Sequence, residues 1–271
     1  MAPASSFLRE LSDELIPTEV QRALRNALQS KSESASEWAP DKLNAYCPRC
    51  GITAGPGTIA PIVTSATEPP AGCHHCRDNP PPWRRITRLA AYTHPLDGWI
   101  RNMKFNGSWS LASFFGQTLG QALLQQPASS STDTHHTPEH TLEHTLVCPV
   151  PLHWFRRWQR GYNQSHLMAQ TLANVCNNPN APLLKRRRAA SAQSRLSKTA
   201  RAQNLRQAFS ARPINRHKHH ILLVDDVKTT GATLAACTRL LLKQGAISVD
   251  CAVAAVTDPP GLRSAPKPLP K

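Results

Sequence analysis

The sequence predicts an α/β fold, in which helices flank a parallel β-sheet and a small cysteine-containing module precedes the sheet. Three observations predict it. Short apolar runs alternate with helical patterns in the second half of the chain, which is typical of a right-handed parallel sheet. The run at 221–224 ends in two adjacent acids, and a small-polar loop leads from these acids into a helix. Two Cys-x-x-Cys pairs lie before the first strand.

Length and composition limit the class of protein. The chain has 271 residues with 40% hydrophobic content, which suits one ordinary domain plus a smaller module. No apolar window reaches the length of about 18 residues that a membrane span needs. The first twenty residues carry acids where a secretory signal has a basic start and an apolar run, namely Glu10, Asp13, Glu14 and Glu19. We therefore expect a soluble, cytoplasmic protein without a membrane span.

Shifts in composition divide the chain into six predicted segments. They are an N-terminal helical or flexible extension (1–40), a zinc-ribbon module (41–85), a helical cap (86–126), a flexible linker (127–145), a sheet domain (146–257) and a disordered tail (258–271). The linker is rich in histidine, but a polar, low-complexity segment lacks the rigid scaffold that would fix metal-ligand geometry.

Each element of the predicted fold follows from a periodicity. In chain order we predict a strand in ITRLAAYTH, helices in LDGWIRNMKF and LASFFGQTLGQALLQ, a strand in TLVCPVPLHW, a helix in SHLMAQTLANVC, a short strand in APLLKRRR, a strand in HHILLVDD, a helix in TLAACTRLLLKQG and a strand in SVDCAVAAV. Cys148, Cys176, Cys237 and Cys251 fall within apparent core segments of this pattern. Free core cysteines are typical of a reducing compartment.

The other four cysteines predict a metal centre. Cys47 and Cys50 form one pair, Cys73 and Cys76 form the other, and 22 residues separate the pairs. This spacing suits a four-cysteine zinc ribbon, and the segment around it has too few large apolar residues to build a core without a metal. His74 or His75 could replace one thiolate, but both are expected to lie outside the ligand set. Four protein ligands leave no open position for chemistry, so we expect a structural Zn²⁺.

Positive charge is concentrated in one part of the chain. The formal net charge is +15, and no acid lies between Glu143 and Asp225. Residues 151–220 alone hold 14 arginines and lysines. Such a block favours a polyanionic partner, either a pyrophosphate-bearing small molecule or a nucleic-acid backbone. The alternative is a solvated basic face without a specific partner.

The stretch ILLVDDVKTTGATL carries the strongest chemical signal. Asp225 and Asp226 follow a buried strand, at the end of a parallel sheet where ligands bind, and two carboxylates there suit a vicinal diol, directly or through a metal ion. The loop Thr229-Thr230-Gly231-Ala232-Thr233 then turns into a helix, whose amino end favours an anion. Together these features predict a ribose 5-phosphate site. The alternative is that Asp225 or Asp226 only caps the helix. A cap needs one acid, however, and the sequence has two.

Two sets of motifs resemble a known family. VDDVKTTGAT closely resembles the phosphoribosyl-pyrophosphate signature of type I phosphoribosyltransferases. CPVPLHWFRRWQRGYNQSHLMAQTLA and the spaced elements of AQSRLSKTARAQNLRQAF (Gln193, Leu196-Ser197, Arg201, Asn204 and Phe209) resemble one branch of them, the ComF (competence protein F) family. The cysteine pairs and YTHPLDGWIRNMKFNG also fit, so the resemblance runs from Tyr46 to Val256. It implies a type I phosphoribosyltransferase-like sheet domain.

The resemblance also implies a set of ligand contacts. Asp225 and Asp226 would bind the ribose hydroxyls of phosphoribosyl pyrophosphate as catalytic residues, and Thr229, Thr230, Gly231, Ala232 and Thr233 would bind its 5-phosphate. The segment from Pro149 to Asn163 would be the pyrophosphate loop, and the basic loop from Ala189 to Arg206 would be a mobile flap. Polyanion contacts would come from Arg156, Arg157, Arg160 and Arg201. Mg²⁺ would bridge the diphosphate and the sugar hydroxyls, so the implied activity is that of a phosphoribosyltransferase (a pentosyl glycosyltransferase).

The acceptor and the pathway stay open at this point. Thr229 stands where some nucleobase-using relatives carry an acid, which argues against purine salvage, and no acceptor pocket is recognisable in the sequence. The family resemblance implies a link to natural competence and DNA uptake. An alternative function is therefore a non-enzymatic, single-stranded-DNA-binding accessory of the competence machinery in transformation.

One stretch, RRWQRGYNQS, admits two interpretations. Its arginines, with Trp154 and Trp158, would suit phosphate tracking and base stacking on single-stranded DNA. Alternatively the stretch is a helix start, with Gly161 in the turn, Tyr162 packed inward and Asn163 as the cap.

Overall fold

The structure is a computed structural model that describes residues 38–54, 72–126, 145–152, 161–187, 208–214 and 219–259. The strands are β1 (Ile86–Ala91), β2 (Thr145–Pro149), β3 (Leu184–Arg186), β4 (Phe209–Ala211), β5 (His220–Lys228) and β6 (Ser248–Val256). The helices are α1 (His74–Asp78), α2 (Leu96–Phe105), α3 (Trp109–Leu124), α4 (Gln164–Val175) and α5 (Ala232–Lys243), and a 3₁₀ turn spans Leu43–Ala45.

Four of the strands form the predicted parallel sheet, in the order β1-β6-β5-β2. Every neighbouring pair in this sheet is parallel, so the predicted alternation of strands and helices is confirmed. One detail of the prediction is wrong. The short strand predicted in APLLKRRR does not join this sheet, because β3 pairs antiparallel with β4 in a separate two-stranded sheet.

Helices cover both faces of the parallel sheet. On one face, α2, α3 and α4 pack around a core that includes Ile100, Phe115, Leu172 and Leu222. On the other face, α5 and the small β3–β4 sheet enclose a second core. Small residues on α3 bring it close to α4, since a Cβ atom at Gly116 would lie 2.4 Å from the carbonyl oxygen of Met168. The start of α4 is thereby held against the sheet.

The predicted segments meet at several points. The strand that opens the predicted helical cap, β1, is an edge strand of the main sheet, and Trp38 at the end of the predicted extension packs edge-on against Trp99. Asp258, expected in a disordered tail, is instead held by Thr53 through its backbone N–H and its hydroxyl. The division into six segments stays a prediction. The remainder of the extension, the linker at 127–144, the flap and the tail beyond 259 lie outside the described residues.

Two further predictions concern the core and the membrane. Cys148, Cys176, Cys237 and Cys251 are buried free thiols, as predicted from their positions in core segments. Across the described ranges, each helix is too short or too polar to cross a membrane.

Candidate functional site

The two acids lie at a step in the edge of the sheet. Pairing between β2 and β5 ends at Pro149 and Val224, so Asp225 is the first residue of β5 beyond its neighbour β2. On the other side, β5 stays paired with β6 as far as Lys228 and Val256. The sequence predicted the acids at the carboxyl end of the strand, whereas the strand runs on to Lys228. Beyond Val224, β5 is paired with β6 but no longer with β2. The side of the acids that β2 leaves uncovered faces the start of α4.

Side chains from α2 and α4 hold both carboxylates. Ser165 donates its hydroxyl to Asp225 Oδ1 at 2.9 Å, and Gln164 donates Nε2 to Asp226 Oδ2 at 2.7 Å. From the opposite side, Lys104 Nζ lies 2.9 Å from Asp226 Oδ1. Asp226 is buried, and Asp225 is partly buried. The acids are therefore fixed in place by partners that none of the sequence motifs had singled out individually.

The start of α4 has the geometry that one of the two interpretations of its sequence predicted. Gly161 has a φ of +76°, a left-handed conformation that favours glycine. The side chain of Asn163 caps the helix by accepting a hydrogen bond from the N–H of Ser165 at 3.2 Å. Tyr162 donates its hydroxyl to the carbonyl of Met103. These bonds aim Gln164 and Ser165, the next residues, at the acids.

The electrostatic setting of the acids is unusual. Burial, together with the charge of the adjacent Asp226, raises the pKa of Asp225 to about 7. The Ser165 hydrogen bond, the backbone N–H of Asp226 and the positive charge of Lys104 act in the opposite direction. Asp225 thus exchanges its proton near neutral pH, whereas an exposed aspartate is ionised there.

The small-polar loop turns into α5 as the sequence predicted. Gly231 has a φ of +77° and is the residue before the helix, while Thr229 and Thr230 are exposed. Thr230 Oγ1 accepts a long hydrogen bond from the N–H of Ala232 at 3.4 Å. Gly231 has no side chain that could cap α5, and the first backbone N–H groups of a helix have no acceptor within the helix. This arrangement suits an anion such as a phosphate group.

The four cysteines of the two pairs form one compact, buried cluster. Their sulfur atoms all lie within 4.8 Å of one another, with Sγ–Sγ distances of 3.6 Å between Cys50 and Cys73 and 3.8 Å between Cys47 and Cys76. Four thiolates about 2.3 Å from a tetrahedral Zn²⁺ are separated by about 3.8 Å. Hydrogen bonds from Cys50 and Cys76 hold the pKa of Cys47 well below its ordinary value. The cluster could therefore bind a metal such as zinc, and the exposed His74 and His75 are outside it.

Comparisons with known proteins agree with this arrangement. Residues 163–268 match the family described as "Phosphoribosyl transferase domain". The "DNA utilization protein YhgH" of Salmonella typhi is 33% identical over 207 residues, which cover 76% of this chain and 81% of the relative. "Competence protein F" of Haemophilus influenzae is 33% identical over 177 residues, or 64% of this chain and 73% of the relative. "Competence protein ComFC" of Bacillus subtilis is 26% identical over 216 residues, covering 76% and 80%.

The chain belongs to the ComF (competence protein F) family. The predicted fold class is thereby confirmed: a phosphoribosyltransferase domain with a parallel sheet and flanking helices, preceded by a cysteine cluster that fits a zinc ribbon. The matched domain contains the acids, the small-polar loop and the start of α4. It does not contain α2, so Lys104 reaches the site from outside the matched region.

In this ComF-family chain the cysteine cluster lies next to the small-polar loop. A Cβ atom at Gly231 would lie 3.1 Å from Trp83 Cη2 and 3.2 Å from Lys228 Cε. Trp83 is tied to the cluster, because its indole Nε1 donates to the carbonyl of Arg49 at 2.7 Å. Burial lowers the pKa of Lys228, and the nearby Cys50 and Cys76 act in the opposite direction. The cysteine module therefore packs against the small-polar loop through Trp83.

A cavity of about 540 Å³ opens beside the start of α4. Its walls come from the end of β2, from β3 and from Tyr162, Asn163 and His166. Asn163 and His166 directly flank the two α4 residues that hold the acids. Sequence analysis had recognised no such pocket, because its walls come from segments that are far apart in the chain.

The structure brings together only part of the predicted site. Asp225 and Asp226 meet the start of α4, and the loop from Thr229 to Thr233 begins three positions after Asp226 in the chain. Arg156, Arg157, Arg160 and Arg201 lie outside the described residues. Sequence analysis missed Lys104, Gln164 and Ser165 as site residues, although NMKFNG and YNQS both stood within the motifs that resembled the family. No pattern in one sequence tells which polar residue of an amphipathic helix turns toward a distant acid.

Proposed function

We propose that this ComF-family protein binds phosphoribosyl pyrophosphate with Mg²⁺ and acts as a phosphoribosyltransferase on an unidentified acceptor. One observation carries the proposal: the strand–loop–helix unit in which Asp225 and Asp226 precede the left-handed Gly231 and the amino end of α5. The acids would accept hydrogen bonds from the two ribose hydroxyls, and the loop would bind the 5-phosphate. Mg²⁺ would neutralise negative charge on the diphosphate leaving group.

The chain's own residues would contribute positioning and charge. Loss of pyrophosphate from the ribose creates positive charge at the sugar carbon, and fixed carboxylates stabilise such charge best when they need not reorganise. The bonds from Ser165 and Gln164 already hold the carboxylates in place. Arg156, Arg157, Arg160 and Arg201 are proposed to neutralise the departing diphosphate. The cysteine cluster is proposed to hold a structural Zn²⁺ that keeps Trp83 against the loop.

Isothermal titration calorimetry tests this site. Phosphoribosyl pyrophosphate with Mg²⁺ should give a saturable signal in the wild-type protein, and the double variant Asp225→Asn with Asp226→Asn should abolish it. Asp97→Asn is the matched control, because it makes the same carboxylate-to-amide change at the N-terminal end of α2, where Asp97 pairs with Arg101. A double variant that binds like the wild type would refute the assignment of the acids.

A second candidate function is the handling of single-stranded DNA in natural competence. Two observations favour it: the relatives carry the names "DNA utilization protein" and "Competence protein F", and the block at 151–220 is strongly basic. We propose that Arg156, Arg157 and Arg160 contact the DNA backbone. The two functions are compatible, because a domain fixes a ligand but not a pathway.

Fluorescence anisotropy with a labelled oligonucleotide tests the second candidate. If three phosphate contacts are lost, the slope of log K against log salt should fall by about 2 when the three arginines are changed to glutamine. A control removes three exposed or peripheral charges elsewhere, at Arg101, Arg239 and Lys243. Binding that does not respond to salt, or an equal fall in both triple variants, would reject a specific role for the arginine-rich loop.

A further inference from the structure

Lys104 is the cation that the structure places on the acid pair. Its Nζ lies 2.9 Å from Asp226 Oδ1, and its side chain is only 21% exposed. Arg101, one turn earlier on the same helix, is 63% exposed and forms an ordinary surface pair with Asp97. Both ion pairs involve a cation on α2, but they differ in how far their side chains are exposed to solvent. The Lys104 pair lies in the site, and Asp226 in that pair is almost fully buried.

The packing of α2 determines where Lys104 points. Leu96, Trp99, Ile100 and Met103 form the buried face of the helix. Met103 is completely buried, and its carbonyl accepts the hydroxyl of Tyr162 from the segment that leads into α4. The residue next to Lys104 is thus anchored to the same turn that aims Gln164 and Ser165 at the acids. The packing of α2 thus sets the position of Lys104, whose partly exposed side chain pairs with Asp226.

The bonds around Asp226 use only part of its acceptor capacity. An ionised carboxylate has about four acceptor positions on its two oxygens. Lys104 takes one position on Oδ1, and Gln164 takes one on Oδ2. Within the part of the chain that the structure describes, these are the two side-chain bonds to the Asp226 oxygens, so each oxygen keeps a second acceptor position. Because the two existing bonds fix the plane of the carboxylate, those remaining positions have a defined direction, as recognition of a vicinal diol requires.

We propose that Lys104 is a positioning residue: it orients the carboxylate of Asp226, which in turn binds the ribose diol. This inference rests on the proposed function and deepens it, because it adds a residue from outside the phosphoribosyltransferase match to the sugar subsite. A phosphate without the diol binds at the loop independently of Lys104.

The experiment compares ligands and variants of the full-length protein. Wild type, Lys104→Met, Lys104→Arg and the control Arg101→Met are titrated with ribose 5-phosphate, 2-deoxyribose 5-phosphate and inorganic phosphate. Lys104→Met should weaken ribose 5-phosphate binding about tenfold or more, as expected for losing one charge-assisted hydrogen bond in the site. Its affinity for inorganic phosphate should stay within about twofold of the wild type. Lys104→Arg should restore part of the ribose 5-phosphate affinity, and Arg101→Met should leave the affinity for all three ligands unchanged.

A second measurement separates positioning from a general structural effect. The carboxyl group of Asp225 is titrated by ¹³C NMR without ligand. Removing the positive charge of Lys104 should raise the titration midpoint of Asp225, while Arg101→Met leaves it unchanged. Ribose 5-phosphate binding within twofold of the wild type in Lys104→Met would overturn the inference, as would an equal loss of inorganic phosphate binding. A wild-type protein that binds neither ribose 5-phosphate nor phosphoribosyl pyrophosphate would instead refute the proposed function, and the inference with it.

Discussion

Asp258 Oδ1 lies 3.7 Å from Arg88 Nη1, at the point where the cysteine module meets the edge strand β1. Arg88 is 1% exposed, and it also donates to Gly51 O at 2.6 Å and to Asp41 Oδ2 at 2.7 Å. The carboxylate of Asp258 in turn accepts two bonds from Thr53. One buried arginine therefore joins the segment before β1, the strand itself and Asp258, the second residue after β6.

Replacing Arg88 should strongly destabilise the protein. Arg88→Met leaves Asp41 and Asp258 without their cation, and removing one partner of a buried ion pair typically costs about 3–5 kcal/mol. Urea unfolding followed by tryptophan fluorescence measures the change in the free energy of unfolding. Arg101→Met is the matched control, because its exposed pair with Asp97 should contribute about 1 kcal/mol or less. Equal losses in the two variants would show that the Arg88 bonds contribute no more than a surface pair.

Alanine at Gly231 should impair both stability and phosphate binding. A non-glycine residue in the left-handed region costs about 1–2 kcal/mol, and a Cβ here also meets Trp83 and Lys228. Gly107 is the matched control: its φ is +67°, and a Cβ there meets no described atom within 4 Å. Both variants should lose stability in urea, but only Gly231→Ala should weaken calorimetric binding of ribose 5-phosphate. Unchanged ligand affinity in Gly231→Ala would remove the loop from the proposed phosphate site.

Asp225 should make stability depend on pH in a predictable direction. Its pKa is raised to about 7 in the folded protein, whereas an unfolded aspartate has a pKa of about 3.9. Between these values the unfolded chain is ionised while the folded protein still holds the proton. The free energy of unfolding should therefore fall as pH rises from about 4 to about 7. Asp225→Asn should remove this part of the slope.

Chemical denaturation at a series of pH values measures the slope. The informative quantity is the difference between the wild type and Asp225→Asn, since groups that do not interact with Asp225 titrate equally in both. Asp97→Asn serves as the control and should keep the wild-type slope. If the stability of Asp225→Asn relative to the wild type were the same at pH 4 and pH 7, the raised pKa of Asp225 would be disproved.

Loss of one cysteine of the cluster should abolish metal binding and disturb the loop. Cys73→Ser removes one of four close sulfurs, so the zinc content should fall from about one ion per chain toward zero when purified protein is measured by atomic spectroscopy. Cys176→Ala removes a buried thiol that is not in the cluster and should retain the metal. Because Trp83 links the module to Gly231, Cys73→Ser should also weaken ribose 5-phosphate binding. Zinc retained at full occupancy in Cys73→Ser would contradict a four-cysteine site.

The sequence predicted those features that depend on local patterns. The β5–loop–α5 unit, the cap at Asn163 and the cysteine pairs each lie within a short stretch, where periodicity or spacing carries the information. The pairing of β3 with β4 was missed because two strands of three residues, 22 residues apart, have no distinct periodic signal. The partners of the acids were missed for a different reason. Lys104 lies 122 positions before Asp226, and only tertiary packing brings them together.

The sheet order β1-β6-β5-β2 has a practical consequence for work with fragments. The region that matches the phosphoribosyl transferase domain starts at residue 163, so it includes the two central strands but neither β1 nor β2. A fragment cut to that region would expose unpaired N–H and C=O groups along both sides of a Val- and Ala-rich two-stranded core. Such open edges promote strand addition between molecules. Recombinant fragments of this kind should therefore aggregate, whereas chains that begin before the cysteine module retain β1 and β2 as barriers against intermolecular pairing.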